Sequence, residues 1–356
     1  MRIKKFFTKV PDGEISVDGF KIHYFSDLSK LPKKIALCGI PFAIEIPNGI
    51  VCENILMDSK GRKFSFMDEL VYYGLELSRE TNSLRKKKKF SKKLVKHISG
   101  TVYTTFCACI SYGHWMHDFL PVAELVKKIA KNKDYKFRIL TNEKVISKRS
   151  VIKRNQHNYF KDYTLKLAGI SKENILNYED YRYISADKLV FIYNGLRSDK
   201  WVKEFIKKIY DKCIPEKVIP TEKIYISRRD TSKRGKMTNE KEIEEFLLKK
   251  GFKIYQLNDK TFEEQVRIFK NAKLIVAQHG SAMMNTYACR QGTPVIQIWP
   301  RINEFIEIGK IFNPCYPDWI NLRHIICKGE KNKYRTFSVD LKELESELNL
   351  IEEKNE

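Results

Sequence analysis

Between Lys223 and Trp299 short apolar runs and helix-period stretches alternate at a spacing that calls for a sheet of parallel strands with helices on both faces. Lys223-Ile-Tyr-Ile-Ser227 reads as a strand. A polar loop leads from it to a helix from about 240 to 250, with Ile243, Phe246 and Leu247 on one face and Gly251 as its stop. Phe252-Lys-Ile-Tyr255 is the next strand. Thr261-Phe-Glu-Glu264 has the form of a capping box, which opens a helix with Val266 and Phe269 turned inward. Lys273-Leu-Ile-Val-Ala277 is a third strand. The turn Gln278-His-Gly-Ser281 starts a helix that the pattern carries to Gly292, and Pro294-Val-Ile-Gln-Ile-Trp299 is a fourth strand.

Upstream the same alternation is looser. Val102 to Ile110 reads as a strand, and after Gly113 a helix-period pattern begins with Trp115, Leu120, Val122, Leu125, Val126 and Ile129. Phe137-Arg-Ile-Leu140 and Lys188-Leu-Val-Phe-Ile-Tyr193 read as further strands, while the first eighty residues hold short strands broken by Pro and Gly. A chain of 356 residues exceeds what one core usually organises. The fold class expected is therefore α/β in two domains: residues 1–200, then 201–335 as a Rossmann-like domain. The boundary falls in a helix or linker from about 198 to 220, closed by Pro215 and Pro220. Residues 336–356 are expected to form a strand and an amphipathic helix, with Leu341, Leu344, Leu348 and Ile351 on one stripe, packing back on a domain.

Composition narrows the partners. The formal charge is +23, so the surface potential favours anions: nucleic acid, anionic lipid or a phosphorylated substrate. The densest basic segment, 85–96, is either a solvated helix face or a contact to an anionic membrane surface or to nucleic acid. No run approaches the ~20 apolar residues of a spanning helix, and nothing after Met1 has the form of a signal peptide. Eight cysteines without a CxxC pair are expected to be reduced, as in the cytoplasm.

Two basic or donor-rich elements fall at strand ends of the C-terminal half, where ligands of such sheets bind. One is the turn Gln278, His279, Gly280, Ser281, which offers main-chain amides, a hydroxyl and an imidazole to an anion; the alternative is that His279 and Ser281 cap the helix. The other is the loop Ser227, Arg228, Arg229, Lys233, Arg234, Lys236, suited to a diphosphate or else merely solvated. In the N-terminal half, His114-Trp-Met-His-Asp118 sets His114 and Asp118 four residues apart on one helix face, an imidazole–carboxylate pair fit for general base work. Histidine satisfied by a nearby acid is the plainer explanation of that pair. His117 and Glu124 follow on the same helix as further candidate bases. His114, His117 and Asp118 lack the rest of a zinc motif, and Asp-x-Asp occurs nowhere, so no metal is expected.

Taken together these residues resemble the family-61 glycosyltransferases. The likeness rests on Tyr225-Ile-Ser-Arg228, the Arg234 loop, Asn239-Glu240 and Phe262-Glu-Glu-Gln-Val266, then on Ala272, His279-Gly280 with Asn285, and Val295-Ile-Gln-Ile-Trp-Pro300. His114-Trp115, Asp118 and Leu120-Pro121 add to it from the N-terminal half. The family often has Gly-Ala-Gly-Leu where Gly280-Ser-Ala-Met283 stands, and glutamate in place of Gln297. What the resemblance implies is a GT-B fold, two Rossmann-like domains facing across a cleft, and an inverting transfer without a cofactor from a nucleotide sugar to a glycan acceptor. It implies donor contacts from Ser227, Arg228, Arg229, Arg234, Lys236, Gln278, His279, Gly280, Ser281, Asn285 and Gln297, and catalysis by His114 or Asp118. A polysaccharide or lipid-linked acceptor, met in the cytoplasm at the inner membrane face, would suit the basic surface. Two other readings stand beside it: a basic nucleic-acid-binding protein, against which stands the lack of any known nucleic-acid motif, and a sugar-nucleotide-binding scaffold without turnover.

Overall fold

The computed structural model of the protein describes residues 13–17, 20–25, 42–52, 55–62, 95–105, 112–131, 135–139, 151–177, 180–193, 200–229, 236–300, 316–327 and 336–353. Lys233, Arg234 and the basic run from 85 to 94 lie outside the described residues. The chain divides into two compact units, Met1–Val202 and Lys203–Glu356. Both are α/β, with parallel strands and helices.

The N-terminal unit holds a mixed sheet of strands β1 (Gly13–Val17), β2 (Phe20–Phe25), β3 (Phe42–Pro47), β4 (Ile50–Cys52), β5 (Ile55–Met57), β6 (Lys96–Thr104), β7 (Lys136–Ile139), β8 (Ile175–Asn177) and β9 (Tyr183–Tyr193). The main path runs β1-β2-β3-β9-β6-β7-β8, with β4 and β5 attached through β9. β9, β6, β7 and β8 are parallel to one another, whereas β3 pairs antiparallel with β9. Alternate residues Phe42, Ile44, Ile46 of β3 and Leu189, Phe191 of β9 share one buried cluster with Val102 and Leu176, as the period of a strand requires. β6 begins earlier than the sequence pattern indicates. Its first residues pair with β9 around a bulge between Ile98 and Thr101, where Gly100 takes φ +83. Asp187 secures that bulge by accepting the Gly100 amide at 2.7 Å and meeting His97 Nε2 at 3.1 Å.

β6 is followed, beyond residues 106–111, by Tyr112–His114, a π-helical stretch Trp115–Phe119, and helix α1 (Leu120–Ala130) with Pro121 in its first turn. Helix α2 (Val151–Leu167) follows. Trp115 fixes the start of this helical run: its Nε1 donates to Thr164 Oγ1 of α2 at 2.9 Å, and Lys161, fully buried, lies over the indole at 5.6 Å.

Helix α3 spans Lys200–Cys213, and the division between the two units falls within its first turn. The C-terminal unit then builds β10 (Glu222–Ile226), α4 (Glu240–Lys249), β11 (Phe252–Tyr255), α5 (Phe262–Lys270), β12 (Ala272–Gln278), a 3₁₀ helix Ser281–Ala288, β13 (Pro294–Pro300), β14 (Asn321–Cys327) and α6 (Leu341–Glu352). All five strands are parallel, in the order β11-β10-β12-β13-β14. This is the second-first-third-fourth-fifth order of a doubly wound sheet, whose direction of winding reverses between β10 and β12. On one face Tyr225, Leu274, Val276, Ile296 and Ile298 pack with Ile243 and Leu247 of α4 and Leu344, Leu348 and Ile351 of α6. The intervening residues Ile224, Ile275, Ala277 and Val295 are also fully buried, so both faces are covered.

Local signals account for the ends of several elements. Thr261 and Glu264 form the capping box in full, a device worth about 1 kcal/mol. Gly251, at φ +80, closes α4. Asp340 caps α6 by accepting the Lys342 amide at 2.9 Å.

Three expectations change. The helix after Ser281 is 3₁₀ rather than α and ends at Ala288, short of Gly292; its buried Asn285 is held by Gln265 Oε1 at 3.1 Å. What precedes α6 among residues 336–340 is a single bridge, Met237 to Phe337, and not a strand. The fifth strand, β14, has no counterpart in the sequence reading. Among the described residues no helix is long and apolar enough to cross a membrane.

Candidate functional site

In the C-terminal unit the carboxyl ends of β10 and β12 lie side by side, with Ile226 in register with Ala277. This is the reversal point of the sheet, where the crevice of a doubly wound fold opens. The chain leaves β10 as Ser227-Arg228-Arg229 and leaves β12 as His279-Gly280-Ser281. The Arg228 guanidinium joins the two by donating from Nη1 to the main-chain carbonyl of His279. Gly280 makes this possible: a Cβ there would overlap Nη1 of Arg228. Its φ of 165 is ordinary extended backbone, so space rather than backbone freedom requires glycine.

Beneath Arg228 sits Glu240, the first residue of α4 and 5% exposed. Its Oε1 accepts the Arg228 amide at 2.7 Å, Ser227 Oγ at 3.1 Å and Tyr225 OH at 3.2 Å. Burial and then the Glu240 carboxylate push the Tyr225 phenol well above its usual range, so it remains a donor. One turn on, the buried Glu244 pairs with Arg229 Nη2 at 2.7 Å. Two carboxylates on α4 thus orient the strand-end arginines. In the sequence Glu240 stands out only within the Asn239-Glu240 element of the family resemblance.

His279 is held from its other side. Its ring stacks on Trp299, centroids 3.7 Å apart and planes 19° apart. Gln297 Nε2 approaches His279 Nδ1 at 3.0 Å and donates to Tyr316 OH at 3.0 Å; Trp299 Nε1 lies 2.9 Å from Gln297 Oε1 and 3.1 Å from His324 Nδ1. Register sets this up, because Gln297 of β13 faces His324 of β14 directly. Burial, with Arg228 and His324 adding to it, lowers the His279 pKa from 6.5 to about 3, so the imidazole is neutral at physiological pH. Tyr316, Trp299 and His324 were not read from the sequence as site residues.

The remaining candidates divide by exposure. Arg229, Lys236 and Ser281 reach the surface, and Arg228, His279 and Gly280 are partly buried. Ser227, Gln278, Asn285 and Gln297 are buried, with Asn285 between Gln265 and Tyr210 OH inside the helical layer. Arg234 lies outside the described residues.

In the N-terminal unit His114 Nδ1 and Asp118 Oδ2 are 2.7 Å apart. Asp118 is 5% and His114 28% exposed in its side chain. With the carboxylate ionised, and so only an acceptor, a neutral imidazole would carry its proton on Nδ1 and its basic lone pair on Nε2. The pair spans the π-helical turn, an irregularity that recurs at functional sites. His117 is buried, and Glu124 is engaged by Lys127 at 2.9 Å and Lys128 at 3.8 Å. Among the described residues no three His, Cys, Asp or Glu side chains are grouped so as to hold a metal ion.

The family model of glycosyltransferase 61 matches residues 112–296, just over half of the chain. The chain belongs to this family. The matched span opens at the turn that carries His114 and Asp118 and ends within β13, after the two strand ends that Arg228 joins. A family-61 member is a glycosyltransferase, and the family implies a nucleotide-sugar donor and a glycan acceptor. No match to a curated protein was found.

Proposed function

We propose that this family-61 glycosyltransferase binds the diphosphate of its nucleotide sugar at the carboxyl ends of β10 and β12 and transfers the sugar with inversion, without a metal ion. The observation that carries this reading is the Arg228–His279 link at the reversal point of the sheet. There a fixed guanidinium, the neutral imidazole and the exposed Ser281 meet at one strand-end crevice. Arg228, with Arg229, Lys236 and Arg234, close to it in the sequence, would balance the charge that develops on the leaving diphosphate. Ser227, Gln278, Asn285 and Gln297 serve from below, as supports.

The acceptor is assigned to the N-terminal unit, in a GT-B division of labour. The acceptor hydroxyl loses its proton to the His114–Asp118 pair as its oxygen bonds to the anomeric carbon. The bond from that carbon to the diphosphate breaks in the same step, and its electron pair leaves with the nucleoside diphosphate. A polysaccharide or lipid-linked acceptor at the cytoplasmic membrane face is the class that a +23 chain suits best.

The test is a thermal-shift and calorimetric panel of nucleotide sugars and nucleoside diphosphates, with chelator and with divalent metal. Binding of at least one nucleoside diphosphate that survives the chelator is expected. Loss of all such binding on chelation would overturn the metal-independent reading.

A further inference from the structure

We infer that Gln297 is a positioning residue that fixes His279 in the tautomer with its proton on Nε2, so that this nitrogen is the donor to the diphosphate. The role rests on the donor-site reading above, but the tautomer itself does not.

The argument begins at Trp299. An indole N–H only donates, so the Gln297 amide atom 2.9 Å from Trp299 Nε1 is the oxygen; the opposite orientation would set two donors against each other. The amide nitrogen therefore faces His279 Nδ1 at 3.0 Å and Tyr316 OH at 3.0 Å. Because that NH₂ group only donates, Nδ1 is an acceptor. A neutral imidazole carries one proton, and it resides on Nε2.

The surroundings make this choice firm. Gln297 is wholly buried, and its two ends are engaged by different partners, Trp299 on one side and His279 with Tyr316 on the other. Stacking on Trp299 holds the imidazole plane. Tyr316 OH also lies 3.4 Å from Nδ1, so two groups crowd that nitrogen. With the ring kept neutral by burial, its hydrogen-bonding polarity is decided by which way the amide of Gln297 points. A glutamate at this position would reverse the polarity: one oxygen would still accept from Trp299, and the other would draw a proton onto Nδ1.

Spectra of three proteins and one binding assay test this. Long-range proton–nitrogen spectra of the protein labelled with ¹⁵N-histidine, with the His279 signals assigned through His279→Gln, should show Nδ1 unprotonated and Nε2 protonated from pH 6 to 8. Gln297→Glu should move the proton to Nδ1 at pH 8 and protonate both nitrogens as the pH falls. Trp299→Phe, which keeps the stacking ring and removes the indole donor, should mix the tautomers, and it covers the case in which the buried glutamate prevents folding. Binding of inorganic pyrophosphate is the functional arm: Gln297→Glu should weaken it about tenfold at pH 8, the loss of roughly one hydrogen bond, and recover part of it at pH 6. A wild-type His279 protonated on Nδ1 overturns the positioning role, whatever pyrophosphate does. The expected tautomer, with pyrophosphate binding lowered by Arg228→Ala but indifferent to Gln297→Glu, overturns the role and leaves the donor site standing. Pyrophosphate binding indifferent to both changes overturns the donor-site reading and, with it, this role for Nε2.

Discussion

The guanidinium of Arg228 donates to the main-chain carbonyl of His279, and this bond ties the end of β10 to the end of β12 where the sheet reverses. Arg228 is therefore placed before any ligand arrives. Preorganised charge of this kind favours a transition state because nothing need be reoriented as charge develops.

Arg228→Ala and His279→Ala are each expected to weaken nucleoside diphosphate binding by about 10- to 100-fold, the loss of about 1.5–3 kcal/mol for one charge-assisted hydrogen bond. Calorimetry gives the affinity, and thermal melts check that the fold persists. Unchanged affinity in both variants would remove these side chains from the donor site.

Gly280→Ala separates space from stability. The added methyl meets the tip of Arg228, a flexible side chain that can move away, so the melting temperature should change little. Donor affinity should fall nearly as far as in Arg228→Ala. A fall in stability with donor affinity intact would show that the glycine serves the fold alone.

Glu240→Ala deprives Tyr225 OH, Ser227 Oγ and the Arg228 amide of one shared acceptor. A stability loss of about 2–4 kcal/mol is expected in denaturant titration. Glu240→Gln keeps an acceptor oxygen and should restore most of it. Equal losses in the two variants would mean that charge, rather than hydrogen bonding, is what Glu240 supplies.

Acid sensitivity follows from His279, whose pKa is lowered from 6.5 to about 3 in the folded protein. The unfolded chain takes up this proton near pH 6.5 and the folded one only near pH 3. Folding stability is thus full above pH 6.5 and is lost between those values as pH falls, by at most about 1.4 kcal/mol per pH unit. His279→Gln abolishes this contribution. Stability measured from pH 7 to pH 4 should therefore decline more steeply in the wild type than in the variant, and parallel curves would contradict the burial of a neutral imidazole.

The His114–Asp118 pair is tested by separating rate from affinity. Asp118→Asn and His114→Ala should lower turnover by about 100- to 10,000-fold while leaving donor affinity nearly untouched. A nearly inactive Asp118→Asn beside a merely impaired His114→Ala makes the carboxylate the base, and the reverse ranking makes it the imidazole. Full turnover in both would move the base elsewhere on the chain.

What the sequence determined by itself is local. The alternation from Lys223 to Trp299 names its four strands, and Thr261 with Glu264 marks a helix start, because each signal lies within a few residues and depends on backbone geometry alone. His114 and Asp118 were legible for the same reason: four residues of helix bring them together whatever the rest of the chain does. One local reading ended differently. Eight residues after Gly280 cannot distinguish an α from a 3₁₀ helix by apolar period, and there the buried Asn285, held by Gln265, belongs to the packing of the helical layer. The tertiary structure alone decided that Arg228 reaches His279, that Glu240 gathers three donors, and that Gln297, Trp299, Tyr316 and His324 enclose one imidazole. Those partners come from different strands and loops, and only the parallel register of β10, β12, β13 and β14 sets them side by side. Pairing between distant segments is chosen by the burial of whole faces, a property of the assembled sheet that no single segment carries.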